Sequence, residues 1–176
     1  MTRAKARAYA RDMASAEPAV RVLFVCTGNT CRSPLAAAAL LAELGADASR
    51  VEVLSAGTSA WEGQPASDGT RDVAARAGLD LSSHRARRAS TPLVRAADFV
   101  FVMEPLHRVA LEALGAPRER VHVLSEWPEP GDPGLPVSDP FGGSREAYEE
   151  CWHRIQVHVR RIAPAVRDAL RARNAS

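Results

Sequence analysis

Short apolar runs alternate along this chain with helix-forming segments, several of which end at a glycine. Continuous apolar runs of four to six residues are typical of strands that are buried on both faces of a parallel sheet. The pattern predicts four strands, at Val22–Val25, Val51–Leu54, Asp98–Met103 and Val121–Leu124. Strands that alternate with helices indicate a parallel sheet with helices on both faces. We therefore expect an α/β domain.

Capping residues predict the helix boundaries. Ser33 is a candidate N-cap and Pro34 a first helical residue, for a helix that ends before Gly45. The later helices are predicted at Asp68–Ala77, from Thr91 and Pro92, at Pro105–Leu114, and from Ser144 onward, the last kinked or ended by Pro164. A long loop rich in proline and glycine, Ser125–Gly143, precedes the last helix, and loops of this length are often functional.

The segment Cys26–Ser33, called the cysteine loop below, directly follows the first strand. Parallel sheets bind ligands at the carboxyl ends of their strands, so the loop lies at the binding edge. Its backbone N–H groups, with those of the helix start, can converge on one oxyanion. Arg32 can bind two oxygens at once. The positive potential of Arg32 and of these N–H groups also favours the thiolate form of Cys26. The loop therefore predicts a phosphate pocket with a sulfur nucleophile at its floor.

This pocket indicates a defined chemistry. A thiolate beneath a phosphate can attack phosphorus in line and form a phosphocysteine, while the loop donors and Arg32 stabilise the charge on the oxygens. One carboxylic acid can then protonate the leaving group and later accept a proton from water. Asp132 and Asp139 both precede proline in the long loop. We choose Asp139 because it lies near a helix start, which would hold it rigidly.

The other residues of the loop are expected to bind the phosphate or to order the loop. The predicted phosphate-binding residues are Thr27, Gly28, Asn29, Thr30, Cys31 and Ser33. Gly28 and Asn29 both tolerate a positive φ, which would close the loop. The Ser33 hydroxyl is expected to bond to the sulfur, and Ser55 to support the loop from beneath. Cys31 is either a small buried side chain or the partner of a protective disulfide with Cys26.

Composition and charge exclude several classes of function. The chain has 176 residues, a formal net charge of +2 and no apolar run of membrane-spanning length, so neither nucleic acid nor a membrane is an expected partner. Its three cysteines are typical of a reducing cytoplasm. Residues 1–20 lack the apolar segment of a secretion signal, and we expect a flexible tail before a domain over residues 21–173.

No further catalytic or metal-binding group is predicted among the histidines, the basic run, Trp61 and Cys151. The histidines do not have the spacing of metal ligands, so we expect neither a metal nor a cofactor. They are His84, His107, His122, His153 and His158. The basic run His84–Arg88 forms either a solvated face or a surface that steers phosphorylated partners. Trp61 either forms a pocket wall or has a core or surface role. Cys151 is expected in the core.

Three segments resemble the low-molecular-weight protein-tyrosine phosphatase family: Val25–Pro34, Ser55–Thr58 and Asp139–Ser144. The resemblance extends from about Arg21 to the last helix, and it implies a four-stranded parallel sheet, a phosphocysteine intermediate and no metal. By matching positions, it implies Cys26 as the nucleophile, Arg32 as the phosphate binder and Asp139 as the general acid. Asn29 and Ser33 match the pair that orders the loop.

Within this family the substrate class depends on a few positions. Thr30, the segment Phe141–Ser144 and the segment Leu81–Arg85 look more like the bacterial protein-arginine phosphatase branch. A hydroxyl at position 30 makes a smaller, more polar wall, which suits a phosphoguanidinium better than a phenyl ring. Trp61 instead looks like the tyrosine-specific branch. The resemblance thus implies phosphorylated proteins as partners, with phosphoarginine ahead of phosphotyrosine.

Two other functions stay open at this point. Arsenate reductases share the fold and the loop, but they need a further cysteine on a mobile segment, and none lies between Cys31 and Cys151. A non-catalytic phosphate or phosphopeptide binder could instead use oxidation of Cys26 and Cys31 as a redox signal. Asp139 argues against such a binder, because binding alone needs no proton donor.

Overall fold

Four parallel strands form one sheet in the order β2-β1-β3-β4. The computed structural model describes residues 19–128 and 134–174. The strands are β1 (Val20–Cys26), β2 (Val51–Gly57), β3 (Phe99–Val102) and β4 (Val121–Val123). The central strand β1 pairs with β2 along its whole length and with β3 on its other side. The predicted four-stranded parallel sheet is confirmed.

Helices cover both faces of this sheet. In the described part of the chain they are α1 (Arg32–Leu44), α2 (Asp68–Arg76), α3 (Thr91–Ala96), α4 (Pro105–Ala113) and α5 (Arg145–Asn174). Phe24 packs with α1 and α5 on one face, whereas Leu23 and Val25 pack with α3 and α4 on the other. Successive side chains of a strand point to opposite faces of the sheet. Because both faces of β1 are covered by apolar residues, every position of the strand is apolar where it is buried, which explains its continuous apolar run.

The strand ends differ from their predicted positions by up to three residues. β1 continues to Cys26 and β2 to Gly57, because the two strands stay paired through small and polar residues that an apolar pattern misses. β3 and β4 are shorter than predicted and leave out Met103 and Leu124. The prediction of Ser33 as an N-cap is wrong: α1 begins at Arg32, two residues before Pro34, and the Ser33 hydroxyl has partners in the cysteine loop instead.

The last helix passes through a proline. The prediction that Pro164 could end this helix is wrong, since α5 continues to Asn174. Proline removes one helical hydrogen bond and crowds the preceding turn. Here Ile162, Ala163 and Val166 are fully buried on either side of it, so packing against the rest of the domain holds the helix together.

The long loop between β4 and α5 is described in part. Leu124–Glu126 forms one 3₁₀ turn, and residues 134–144 return to the carboxyl edge of the sheet with Asp139. Asp132, the alternative acid, lies outside the described residues, as does nearly all of the predicted tail at residues 1–20. Among the described helices, none has the length and apolar character that a bilayer crossing requires.

Candidate active site

The cysteine loop is closed by Asn29, whose φ of +55° lies in the left-handed region. The prediction for Gly28 is wrong, because its φ is not positive. Asparagine reaches this conformation through local hydrogen bonds. Its Nδ2 donates to Ser33 Oγ and to Ser55 Oγ, both at 2.9 Å, and its Oδ1 accepts from the Arg87 backbone N–H. The predicted support from Ser55 is confirmed, and the loop is locked from its interior.

Two donors approach the sulfur of Cys26. The Asn29 backbone N–H lies 3.3 Å from Sγ, and Ser33 Oγ lies 3.0 Å from it, as predicted. Ser33 Oγ is also 3.2 Å from the carbonyl oxygen of Ala56. A hydroxyl has one proton, so it donates either to the carbonyl or to the sulfur. When Cys26 is a thiolate, that proton can turn to the sulfur and stabilise the anion.

The guanidinium of Arg32 is buried between two carboxylates. Nη1 donates to Glu104 and to the carbonyl oxygen of Val137, and Nη2 donates to Asp139 at 2.5 Å. Burial alone would lower the pKa of Arg32, but the hydrogen bond to Glu104 and the negative charges of Asp139 and Cys26 outweigh it and raise the pKa. Nε is buried and has no partner among the described residues. An oxyanion that binds beside Arg32 could therefore accept a hydrogen bond from Nε without displacing another acceptor.

A cavity of about 610 Å³ lies in front of Cys26. The cysteine loop contributes to its wall Thr27, Gly28, Thr30 and Cys31. Asp139 lines the same cavity from the long loop, and Trp61 and Phe141 line it with rings that are 82% and 70% exposed. Trp61 is therefore a wall of the cavity and not a core residue. The candidate nucleophile and the candidate acid face one space.

Three of the predicted phosphate-binding residues do not line this cavity. Asn29, Arg32 and Ser33 are buried behind its wall, where their side chains contact other protein groups. Asp139 is instead exposed at the rim, with Oδ1 accepting from the Phe141 backbone N–H at 3.1 Å. The structure thus separates a supporting layer, which shapes the loop, from the groups that meet solvent.

Two residues of the site were missed from the sequence, and both lie at the start of α4: Glu104 is its N-cap and His107 is in its first turn. The carboxylate of Glu104 binds Arg32, and His107 Nε2 lies 3.0 Å from Thr27 Oγ1. Burial and the charge of Arg32 lower the pKa of His107. One signal could have found Glu104, because it follows a predicted strand and so lies at the same sheet edge as the cysteine loop.

The end of β2 and the residues that follow it also contact the backbone of the cysteine loop. Thr58 N–H donates to the Cys26 carbonyl oxygen at 2.9 Å. A Cβ on Gly57 would lie 2.4 Å from the Thr27 carbonyl oxygen and 2.9 Å from the Asn29 nitrogen, so this position needs glycine. His84 Nε2 donates to the Asn29 carbonyl oxygen at 2.7 Å.

The basic run supports the cysteine loop, a role that the sequence did not suggest, and its arginines are exposed, as the solvated-face alternative expects. His84 is half-buried and burial lowers its pKa, although its hydrogen bond to the Asn29 carbonyl oxygen opposes this shift. Arg85, Arg87 and Arg88 are exposed. His84 and the Arg87 backbone N–H thus support the cysteine loop through Asn29, and steering of phosphorylated partners by the exposed arginines stays a prediction.

The three cysteines are free thiols. Cys31 is buried, with Sγ 3.2 Å from Ser67 Oγ. Cys151 is buried on α5, and burial raises its pKa to about 12. Within residues 19–128 and 134–174, no three histidine, cysteine or carboxylate side chains are grouped closely enough to hold a metal ion.

A cysteine-dependent protein phosphatase is the class of protein that this fold and loop define. Residues 21–172 match the family described as low molecular weight phosphotyrosine protein phosphatase. A low molecular weight protein-tyrosine-phosphatase of Streptomyces coelicolor is 38% identical over 88% of this chain and 98% of its own length. The chain therefore belongs to the low-molecular-weight protein-tyrosine phosphatase family.

Two solved arginine phosphatases also share the fold. The YwlE arginine phosphatase of Geobacillus stearothermophilus has a TM-score of 0.75 and 33% identity, and the match covers 85% of this chain and 94% of that one. A YwlE mutant with a phosphorylated active-site serine has a TM-score of 0.74 and 30% identity, over 84% of this chain and 96% of its own. Relatives of both specificities are thus similar to this enzyme.

Proposed function

We propose that this enzyme hydrolyses phosphorylated protein side chains through a phosphocysteine on Cys26. The observation that carries the proposal is the shared cavity, with Cys26 at its floor, Asp139 at its rim and the buried Arg32 behind its wall. A binding pocket needs only the arginine, whereas hydrolysis needs a nucleophile and a proton donor as well.

The reaction has two steps. In the first, the Cys26 thiolate forms a bond to phosphorus, the bond between phosphorus and the leaving atom breaks, and Asp139 gives that atom its proton. In the second, water attacks phosphorus, Asp139 takes a proton from the water, and the sulfur–phosphorus bond breaks to release inorganic phosphate. The relative with a phosphorylated active-site serine supports transfer of the phosphoryl group to a side chain of the enzyme.

Arg32 and the loop amides bind the phosphoryl oxygens. A buried donor without a partner costs about 1–3 kcal/mol, so an oxygen that accepts from Arg32 Nε would stabilise the complex. An oxyanion can also replace the Asp139 carboxylate on Nη2. Asp139 is then free to turn toward the leaving group.

Two polar groups of the cavity support phosphoarginine as the proposed substrate. Thr30 lines the wall with a short polar side chain, and Asp139 adds a carboxylate at the rim. Both can accept hydrogen bonds from a guanidinium, which has several N–H donors. Phosphotyrosine is the second candidate, because the exposed rings of Trp61 and Phe141 line the same cavity and could stack on an aryl group.

Neither rival function fits the groups that the site contains. Arsenate reduction requires a second reactive thiolate, but Cys151 is buried on a regular helix and burial raises its pKa to about 12. A binding module that acts only through oxidation of Cys26 and Cys31 gives no role to Asp139, which is held beside Arg32 at the rim.

The first test measures turnover of p-nitrophenyl phosphate without added metal and in the presence of a chelator. The wild type should be active, and Cys26→Ser should be inactive. Asp139→Asn should be slower by about a hundredfold, since a general acid–base contributes roughly 10²–10⁴. Asp132→Asn is the matched control and should keep wild-type turnover. Turnover that persists in Cys26→Ser would overturn the mechanism.

The second test compares phosphoarginine and phosphotyrosine peptides of the same sequence. The wild type should prefer phosphoarginine, and Thr30→Ile should shift the ratio of the two kcat/KM values toward phosphotyrosine by about tenfold or more, as one lost hydrogen bond implies. Thr58→Ile, in the loop after β2, is the control for the added bulk. A ratio that Thr30→Ile leaves unchanged would discard the assigned role of this residue.

A further inference from the structure

One buried histidine beside the cysteine loop has a partner on each ring nitrogen. His107 is fully buried in the first turn of α4. Its Nδ1 lies 3.2 Å from the backbone nitrogen of Glu104, and its Nε2 lies 3.0 Å from Thr27 Oγ1. A backbone N–H can only donate, so Nδ1 is the acceptor and carries no proton. The proton of the neutral ring is therefore on Nε2, which donates to Thr27.

The surroundings keep this ring neutral. Burial penalises the imidazolium, and the positive charge of Arg32 penalises it further, whereas the carboxylates of Glu104 and Asp139 oppose these two effects only in part. A second proton would have to go on Nδ1, where it would face the Glu104 N–H. The geometry and the charges thus select one tautomer.

This tautomer decides what the Thr27 hydroxyl can do. A hydroxyl group accepts two hydrogen bonds and donates one. Because His107 donates to the oxygen, the hydroxyl must direct its own proton to another group. Thr27 is exposed, directly follows Cys26 and lines the cavity. Its proton is therefore available to an oxygen atom of a molecule bound there.

We propose that His107 is a positioning residue that makes the Thr27 hydroxyl a hydrogen-bond donor to the phosphorylated substrate. This inference rests on the proposed phosphatase function, because it assumes that a phosphoryl group binds over Cys26. His107 itself does not touch the substrate and acts through Thr27. A hydrogen bond to a charged oxygen contributes about 1.5–3 kcal/mol, which corresponds to a ten- to hundredfold effect on kcat/KM.

A double-mutant cycle on p-nitrophenyl phosphate turnover tests this coupling. Thr27→Val removes the hydroxyl and keeps the shape, and His107→Phe removes the ring donor. Each variant should lower kcat/KM ten- to hundredfold, and the double variant should be no slower than Thr27→Val alone. His107→Gln retains an N–H donor and should recover most of the activity. Losses that multiply in the double variant would overturn the proposal, because His107 would then act independently of Thr27.

The ¹⁵N NMR signals of the His107 ring give a readout that does not depend on turnover. The wild type should show a protonated Nε2 and an unprotonated Nδ1 at neutral pH, and inorganic phosphate should shift the Nε2 signal. The shift should vanish in Thr27→Val. A proton on Nδ1, or a phosphate-induced shift that Thr27→Val leaves intact, would contradict the inference.

These readouts separate the inference from the proposed function. A wild type that lacks turnover but shows the phosphate-dependent Nε2 signal would refute hydrolysis and leave the His107–Thr27 coupling in place. A wild type with normal turnover and independent His107 and Thr27 effects would refute the coupling alone.

Discussion

Arg32 connects the cysteine loop to the two carboxylates that face it. A guanidinium that is 1% exposed needs anionic partners, and Glu104 and Asp139 supply them from α4 and the long loop. Glu104 also caps α4, where its side chain accepts from the backbone of the first turn. One carboxylate therefore supports both a helix start and the orientation of Arg32, the proposed phosphate binder.

Removal of the Glu104 charge should weaken both structure and activity. We expect Glu104→Gln to lower the free energy of unfolding by about 1–3 kcal/mol, because a buried cation loses one of its anionic partners at a half-exposed site. kcat/KM should fall about tenfold as Arg32 loses its orientation. Urea unfolding and p-nitrophenyl phosphate kinetics measure the two effects. Glu126→Gln, from the longer Arg108–Glu126 pair at 3.9 Å, is the control and should change neither.

Three histidines should make the protein less stable in mild acid. Burial lowers the pKa values of His84, His107 and His122 in the folded state, whereas each titrates near 6.5 when unfolded. Below pH of about 6.5 the unfolded chain binds more protons, so stability falls as pH falls toward the lowered pKa values. The slope should reach at most about 1.4 kcal/mol per pH unit for each histidine.

Urea unfolding between about pH 7.5 and 5.5 measures this slope. His107→Gln should reduce it, and the exposed His153→Gln is the control that should not. Stability that is constant or rises on acidification would contradict the lowered pKa values of these three histidines.

Spacing identified the candidate chemistry of Cys26, Arg32 and Asp139 because each role follows from residue type and a short local pattern. His107 could not be found this way. Its contact with Thr27 spans 80 positions of the chain, and it depends on β3 lying next to β1. Nothing near His107 in the sequence shows that neighbourhood.

At the scale of elements, the carboxyl ends of β1 and β2 approach each other more closely than a side chain would allow. Gly57 closes β2 directly against the backbone of the cysteine loop, and Thr58 and Ser59 then donate to the Cys26 and Thr27 carbonyl oxygens. The resemblance drew attention to the segment Ser55–Thr58. The reason for its glycine is visible only in the packed structure.

Gly57→Ala should therefore destabilise the domain. The added methyl group would press on backbone atoms, which cannot move aside cheaply, and overpacking of this kind costs about 1–3 kcal/mol. Gly28→Ala, in the cysteine loop that Gly57 packs against, is the matched control, since its Cβ would meet Thr30 Oγ1 at an ordinary 3.5 Å. Chemical unfolding should separate the two variants, and equal stabilities would contradict the close approach at Gly57.

Helix α5 contains Pro164 in its interior, where proline is the residue with the lowest helix propensity. Pro164→Ala should raise the free energy of unfolding by about 2 kcal/mol, because the gain of roughly 3 kcal/mol in helix propensity exceeds the entropy that proline removes from the unfolded chain. Pro92→Ala is the control, since proline in the first turn of α3 is already favourable. A destabilised Pro164→Ala would show that the ring contributes packing that outweighs its cost.

The element boundaries show where the sequence pattern is informative and where it is not. Apolar runs located the centres of all four strands, because burial on both faces requires such residues. The ends of β1 and β2 extend through Cys26 and Gly57, where pairing continues without large apolar side chains. Pro164 suggested a possible end to the last helix, but the buried neighbours of α5 outweigh that local preference.

At the scale of the whole molecule, the strand order explains why the site forms where it does. The neighbouring strands β1 and β3 send their following helices to opposite faces, α1 to one and α4 to the other. Such a reversal leaves a crevice at the carboxyl ends of the strands, which is where open α/β sheets bind ligands. The cysteine loop lies on one side of it, and Glu104 lies on the other.

The central claim is that the phosphoryl group transfers to Cys26, and one experiment observes this directly. Asp139→Asn is mixed briefly with p-nitrophenyl phosphate, denatured and digested for peptide mass spectrometry. Because p-nitrophenolate leaves without a proton, the first step should proceed, and loss of the base should slow the second. The account predicts a phosphoryl group on Cys26 and none in Cys26→Ala with Asp139→Asn. A phosphoryl group on another residue, or turnover with Cys26 never modified, would contradict it.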